Sequence, residues 1–151
     1  MTRVLHANLM ILIAAVSLCL GSPVTADESD KADHPSTSAQ VRLASWWFTR
    51  HADKIAEIEA ANDPKKNQSI ELLMVGDSIT NNFDEGGPGE AVWREHFAPL
   101  NALNLGFGGD RTNHVLWRLD HLPPLKTSPK AAALMIGTNN ICWGSDKPKQ
   151  A

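Results

Sequence analysis

Three short apolar runs, each ending in a polar loop that contains glycine, constrain the fold of this chain more than any other feature. Ile70-Glu71-Leu72-Leu73-Met74 runs into Val75-Gly76-Asp77-Ser78-Ile79-Thr80. Ala102-Leu103-Asn104-Leu105 runs into Gly106-Phe107-Gly108-Gly109-Asp110, and Ala131-Ala132-Ala133-Leu134-Met135-Ile136 into Gly137-Thr138-Asn139-Asn140. A short apolar run bounded by glycine reads as a buried strand. Segments of helical character separate the runs, and that alternation favours an α/β domain with a parallel sheet. Parallel strands put all three polar loops on one edge, where such sheets bind ligands.

The helical segments are read from three- and four-residue spacing. Val41 to Asn62 is expected to be an amphipathic helix that buries Ala44, Trp47, Phe48, His51, Ile55 and Ile58. Arg50, Asp53, Lys54, Glu57 and Glu59 mostly fall elsewhere on it. The Trp46-Trp47 pair reads as core packing before ligand contact. Asn62-Asp63-Pro64 stops this helix. Glu90 to Phe97 has helical character and ends at Pro99, after the glycine-rich stretch Asp84 to Gly89. Thr112 to Leu122 forms another helix, with Val115, Leu116 and Leu119 apolar and Pro123-Pro124 at its end.

Ser78 stands where the first strand gives way to a helix. That position exposes a hydroxyl beside helix-start N–H groups, which suits a nucleophile whose reaction develops negative charge. The simpler reading of the same residues is that Asp77 or Ser78 caps a helix. Asn139-Asn140 taken alone is a polar turn. Gly106-Phe107-Gly108-Gly109 is not a dinucleotide loop, because that pattern needs a glycine where Arg111 stands. Asp110 is expected to order its loop by hydrogen bonding, or to cap the helix that follows.

Taken together, the three blocks Val75 to Thr80, Leu103 to Asp110 and Ile136 to Asn140 resemble the SGNH, or GDSL, hydrolases. Trp93-Arg94-Glu95 through Val115-Leu116-Trp117-Arg118-Leu119 is similar to the branch of the platelet-activating-factor acetylhydrolase catalytic subunits. The resemblance covers roughly Val41 to Asn140. It implies a flavodoxin-like three-layer α/β fold with a parallel sheet, of which this chain carries the N-terminal part. It also implies a serine esterase acting on short-chain or acetyl esters of small molecules or carbohydrates through an acyl-enzyme. Ser78 is then the nucleophile. The backbone N–H groups of Ser78 and Gly109 and the side-chain amide of Asn139 form the oxyanion hole. No metal or organic cofactor is implied.

A serine hydroxyl needs a base to become a good nucleophile. In the family that base is a histidine in a C-terminal Asp-x-x-His block, and no stretch of this sequence matches that block. The domain, taken as residues 41–151, is therefore expected to be truncated at its C-terminus and impaired as a catalyst. His114 follows Asp110 by four residues, which is not the block's spacing, so a solvated or packing role is expected for it. His51 is expected to pack on the first helix. Three strands with open edges bury little and invite association.

The N-terminus reads as a targeting segment. Arg3, the uncharged run Leu9 to Leu20 and the small residues of Val24-Thr25-Ala26 describe a secretory signal peptide, residues 1–26, cleaved after Ala26. The run is short for a membrane span, and no stable span is expected after cleavage. Residues 27–40 read as a flexible polar spacer. The address is then secreted or periplasmic. Cys142 is left without a partner for a disulfide once Cys19 departs. The formal net charge of −3 gives no electrostatic reason to expect nucleic acid. No Cys/His cluster has metal-ligand spacing.

Overall fold

A computed structural model describes residues 35–66, 68–83 and 86–143. The expected signal peptide, residues 1–26, the first part of the expected spacer and the polar tail after Trp143 lie outside the described residues. In chain order the elements are α1 (Ser45–Asn62), β1 (Leu72–Gly76), α2 (Ser78–Asn81), α3 (Glu90–Val92), β2 (Ala102–Gly106), α4 (Thr112–Asp120), β3 (Ala131–Met135) and α5 (Thr138–Trp143). After α3 the chain runs through a wide π turn, Trp93–Phe97, and a tight 3₁₀ turn, Ala98–Leu100, that holds Pro99. The single helix expected over Glu90 to Phe97 is thus split. No helix among the described residues is long and apolar enough to cross a membrane.

The strands form one parallel sheet in the order β2-β1-β3. This is the order in which a flavodoxin-like sheet begins. Leu73 and Val75 stand in register with Leu103 and Leu105, so all four share a face. Ile58 of α1 and Val115 of α4 pack on that face and complete the buried core with Ile70. On the other face α2 approaches so closely at Gly76 and Gly106 that neither position has room for a side chain. A Cβ on Gly106 would sit 2.3 Å from the backbone nitrogen of Asn81. Asn104, also on that face, is buried and donates from Nδ2 to the Thr80 carbonyl at 2.8 Å, while its Oδ1 accepts from the Gly106 N–H at 2.8 Å.

Helix α1 departs from its sequence pattern in two ways. It starts at Ser45, not Val41, because Ala44 is extended at φ −138°. The residues before it form a strap tied to α4. The N–H of Gln40 donates to the Asn113 carbonyl at 3.0 Å, Asn113 Nδ2 donates to Gln40 Oε1 at 2.8 Å, and Thr112 Oγ1 donates to the Ser36 carbonyl at 2.7 Å. The described end of the expected spacer therefore lies against the domain. The buried face also differs from the apolar stripe: Trp47, Arg50, His51, Lys54 and Ile58 are buried, and Phe48 is exposed. Arg50 goes inside because its Nε donates to the Gly106 carbonyl at 2.8 Å and its guanidinium lies 5.1 Å from the Phe107 ring. Trp47 is fully buried as expected, whereas Trp46 is not core but 44% exposed.

Candidate active site

The C-terminal ends of β1, β2 and β3 carry the three polar loops, and hydrogen bonds draw those loops together. Asp77 is the N-cap of α2: its Oδ1 accepts from the Ile79 N–H at 3.0 Å. Capping therefore falls to Asp77, which leaves Ser78 as the first helical residue, half-buried at the strand-to-helix turn. From the third loop Asn139 Nδ2 donates to the Asp110 carbonyl at 2.8 Å and, at a longer 3.4 Å, to Asp77 Oδ2. One amide thus joins all three loops. Asn140, which sequence reasoning left as a plain turn residue, clips the third loop to α4. Its Oδ1 accepts from the Thr112 N–H at 3.1 Å and its Nδ2 donates to Thr112 Oγ1 at 3.0 Å.

The second loop is a tight turn closed by the Asp110 N–H on the Phe107 carbonyl at 3.1 Å. Gly109 has φ +71°, a left-handed conformation that favours glycine. Among the described residues, the N–H groups of Ser78 and Gly109 donate no hydrogen bond. The structure therefore brings Ser78, Gly109 and Asn139 to one sheet edge. Two of the three expected oxyanion donors are unengaged, and the third is turned onto Asp110 and Asp77.

Beneath this edge lies a buried charge network. Asp110 is fully buried and accepts from Trp47 Nε1 at 2.8 Å and from Arg118 Nε at 2.7 Å. Arg118 is equally buried. Its Nη1 donates to the Leu105 carbonyl at 3.2 Å, its Nη2 to the Gly76 carbonyl at 3.4 Å, and the Phe107 ring covers its guanidinium at 3.8 Å. Burial pushes the Asp110 carboxyl above the usual carboxylate range, and Arg118 and the Trp47 N–H oppose that push. Burial likewise lowers Arg118, against the pull of Asp110. With both oxygens engaged, Asp110 orders the loop, as its position in the sequence suggested. Arg118 was missed: it reads as one more charged residue on a helix, and only its eight-residue, two-turn spacing from Asp110 hints at the pairing.

The described histidines do not complete a triad with Ser78. His114 Nδ1 accepts from the Arg111 N–H at 3.1 Å, so in the neutral ring Nε2 carries the proton. Burial lowers the His114 pKa, with Asp110 pulling the other way. His51 is buried among Trp47 and Trp117, and burial foremost, then Arg118, lowers its pKa. No histidine among the described residues bonds the Ser78 hydroxyl. Nor do the described residues hold a His/Cys/Asp/Glu cluster able to bind a metal ion. A hollow of about 500 Å³ lies at the opposite end of the sheet against Asn62, Pro64 and Pro124. No Ser, Cys or His lines it.

Residues 74–151, just over half of the chain, match the GDSL-like Lipase/Acylhydrolase family. The chain belongs to this family. Among the GDSL-like relatives, platelet-activating factor acetylhydrolase IB subunit alpha1 of Homo sapiens is 34% identical over 113 residues, and subunit alpha2 of Rattus norvegicus is 33% identical over the same length. Both alignments cover 75% of this chain and 44% of the relative. The chain thus spans less than half the length of these curated relatives. The kinship expected from the three blocks holds, including its acetylhydrolase branch.

Proposed function

We propose that this GDSL-like chain is an exported serine esterase of short-chain acyl esters. Ser78 attacks the ester carbonyl, the alcohol leaves, and water then releases the acid from the Ser78 acyl-enzyme. The N–H groups of Ser78 and Gly109 receive the carbonyl oxygen as it becomes an oxyanion. Asn139 joins them by giving up its long contact to Asp77. The observation that carries this reading is the placement of Ser78 on the same edge as two N–H groups that donate to nothing else in the described structure. Donors already fixed at a developing charge need no reorganisation during reaction, which is why such sites lower barriers. The relatives are named acetylhydrolases, so acetyl is the acyl group to try first. The alcohol side is a small molecule or a carbohydrate. Residues 1–26 serve as the signal peptide, and exported material is expected to begin near Asp27 on N-terminal sequencing. Protein that keeps Met1 in a membrane fraction would contradict cleavage.

The test uses p-nitrophenyl acetate with the full chain and its Ser78→Ala variant. A 42 Da mass gain is expected on the peptide that holds Ser78, and none on the alanine variant. An ester that binds without acetylating Ser78 would replace this reading with that of a non-catalytic binding protein.

A further inference from the structure

We infer that Arg42 is the positioning residue that aims the Gly109 N–H into the oxyanion hole. The inference rests on the esterase reading above and names a new contributor to that site. Its basis is the geometry of one peptide unit. Arg42 Nη1 donates to the Gly108 carbonyl at 2.7 Å. That carbonyl and the Gly109 N–H belong to the same peptide plane, and in a trans peptide they point in opposite directions. Fixing the carbonyl on Arg42 therefore fixes the N–H on the far side.

This plane needs fixing because of the turn that contains it. Phe107 to Asp110 form a turn in which Gly108 and Gly109 are the central residues, and only Gly109 has a positive φ. That is a type II turn. It differs from type I by rotation of the central peptide, here Gly108–Gly109. With glycine on both sides the rotation meets no Cβ, so the bare sequence tolerates either form. In the rotated form the carbonyl, not the N–H, would face the oxyanion, and a stabilising contact would become a repulsive one.

Two side chains hold the turn in its present form. Asn81 Oδ1 accepts from the Gly108 N–H at 3.2 Å, and Arg42 takes the next carbonyl. A charged donor also polarises the peptide, which strengthens its N–H as a donor. Arg42 is held in turn. Its guanidinium lies 5.0 Å from the Trp46 ring and 3.9 Å from Asp110 Oδ1. The strap through Gln40 anchors its backbone to α4. This gives the strap a role that its polar composition did not suggest.

The experiment compares the full chain with Arg42→Ala and Arg42→Lys. One readout is the Gly109 amide signal in protein labelled with ¹⁵N-glycine. The other is the initial rate of Ser78 acetylation by p-nitrophenyl acetate as a function of ester concentration. In Arg42→Ala the Gly109 signal is expected to broaden or double. The limiting acetylation rate is expected to fall about tenfold, less than the loss of a whole oxyanion donor, with the half-saturating ester concentration unchanged. Arg42→Lys should recover part of both. A Gly109 signal and a rate within twofold of the parent in Arg42→Ala would overturn the inference. If the parent chain itself leaves Ser78 unmodified, the esterase reading fails, and the amide signal alone still decides whether Arg42 holds the turn. Should Arg42→Ala not fold, Arg42→Gln, which keeps two N–H donors on a shorter stem, is judged by the same signal.

Discussion

Arg118→Ala is expected to cost this chain about 3–5 kcal/mol of stability, the range for breaking a buried ion pair from one side. The substitution strands the Asp110 carboxylate, which is fully buried and would keep only Trp47 Nε1 as a close donor. It also removes the donors to the Leu105 and Gly76 carbonyls and uncovers one face of Phe107. Gly76 is the last residue of β1 and Leu105 the last but one of β2, so one side chain ties both strands at their C-terminal ends to the loop between Gly106 and Asp110. A domain has only about 5–15 kcal/mol to lose, and a three-stranded sheet stands at the low end. Urea denaturation followed by tryptophan fluorescence measures the loss. An apolar pair, Arg118→Met with Asp110→Leu, should recover part of it, because neither charge is then left buried alone. A loss under about 1 kcal/mol for Arg118→Ala would show that the network is not what joins the loops.

That network marks the boundary between what the sequence made legible and what it did not. Strands, their order of appearance and the three loops were readable because apolar runs and glycines are local signals. Ser78, Gly109 and Asn139 were singled out by the resemblance of three local blocks to a family, since alone they read as a cap, a loop glycine and a turn, and parallel pairing carries them to one edge. Arg50, Lys54 and Arg118 were unreadable for the opposite reason. Periodicity assigns a charged residue to solvent, yet Arg50 and Arg118 are inside because strand-end carbonyls and the Phe107 ring receive them. Those partners are supplied by other elements, at sequence separations of 56 for Arg50 to Gly106 and 42 for Arg118 to Gly76. The start of α1 was misread on the same principle. Residues 41–44 continue the helical spacing, but the strap's bonds to α4 hold the chain extended there. Asn140 needed Thr112 beside it to become a clip.

Acetylation of Ser78 in this chain is expected to rise about tenfold per pH unit between about pH 7 and pH 9, with no plateau near neutrality, because no base among the described residues bonds the Ser78 hydroxyl and hydroxide must take its proton. Among the described residues no imidazole bonds the Ser78 hydroxyl, the proposed nucleophile. A histidine base would instead give a sigmoid whose midpoint lies near the imidazole range. Among the described residues His114 is the histidine beside the loop that holds Gly109 and Asp110, and its geometry argues against that role. Its Nδ1 is occupied by the Arg111 N–H, so the neutral ring offers a proton at Nε2 where a base would have to offer a lone pair. His114→Gln is therefore expected to leave the profile in place. The measurement is the fraction of Ser78 acetylated by p-nitrophenyl acetate over time at each pH, read by mass spectrometry, with Ser78→Ala as the blank. Loss of a triad member typically costs several orders of magnitude in turnover while binding and oxyanion donors retain a residue of it. A slow, hydroxide-dependent reaction that still requires Ser78 is that residue. A plateau below pH 7 that His114→Gln removes would place a base within these residues and make His114 part of the machine.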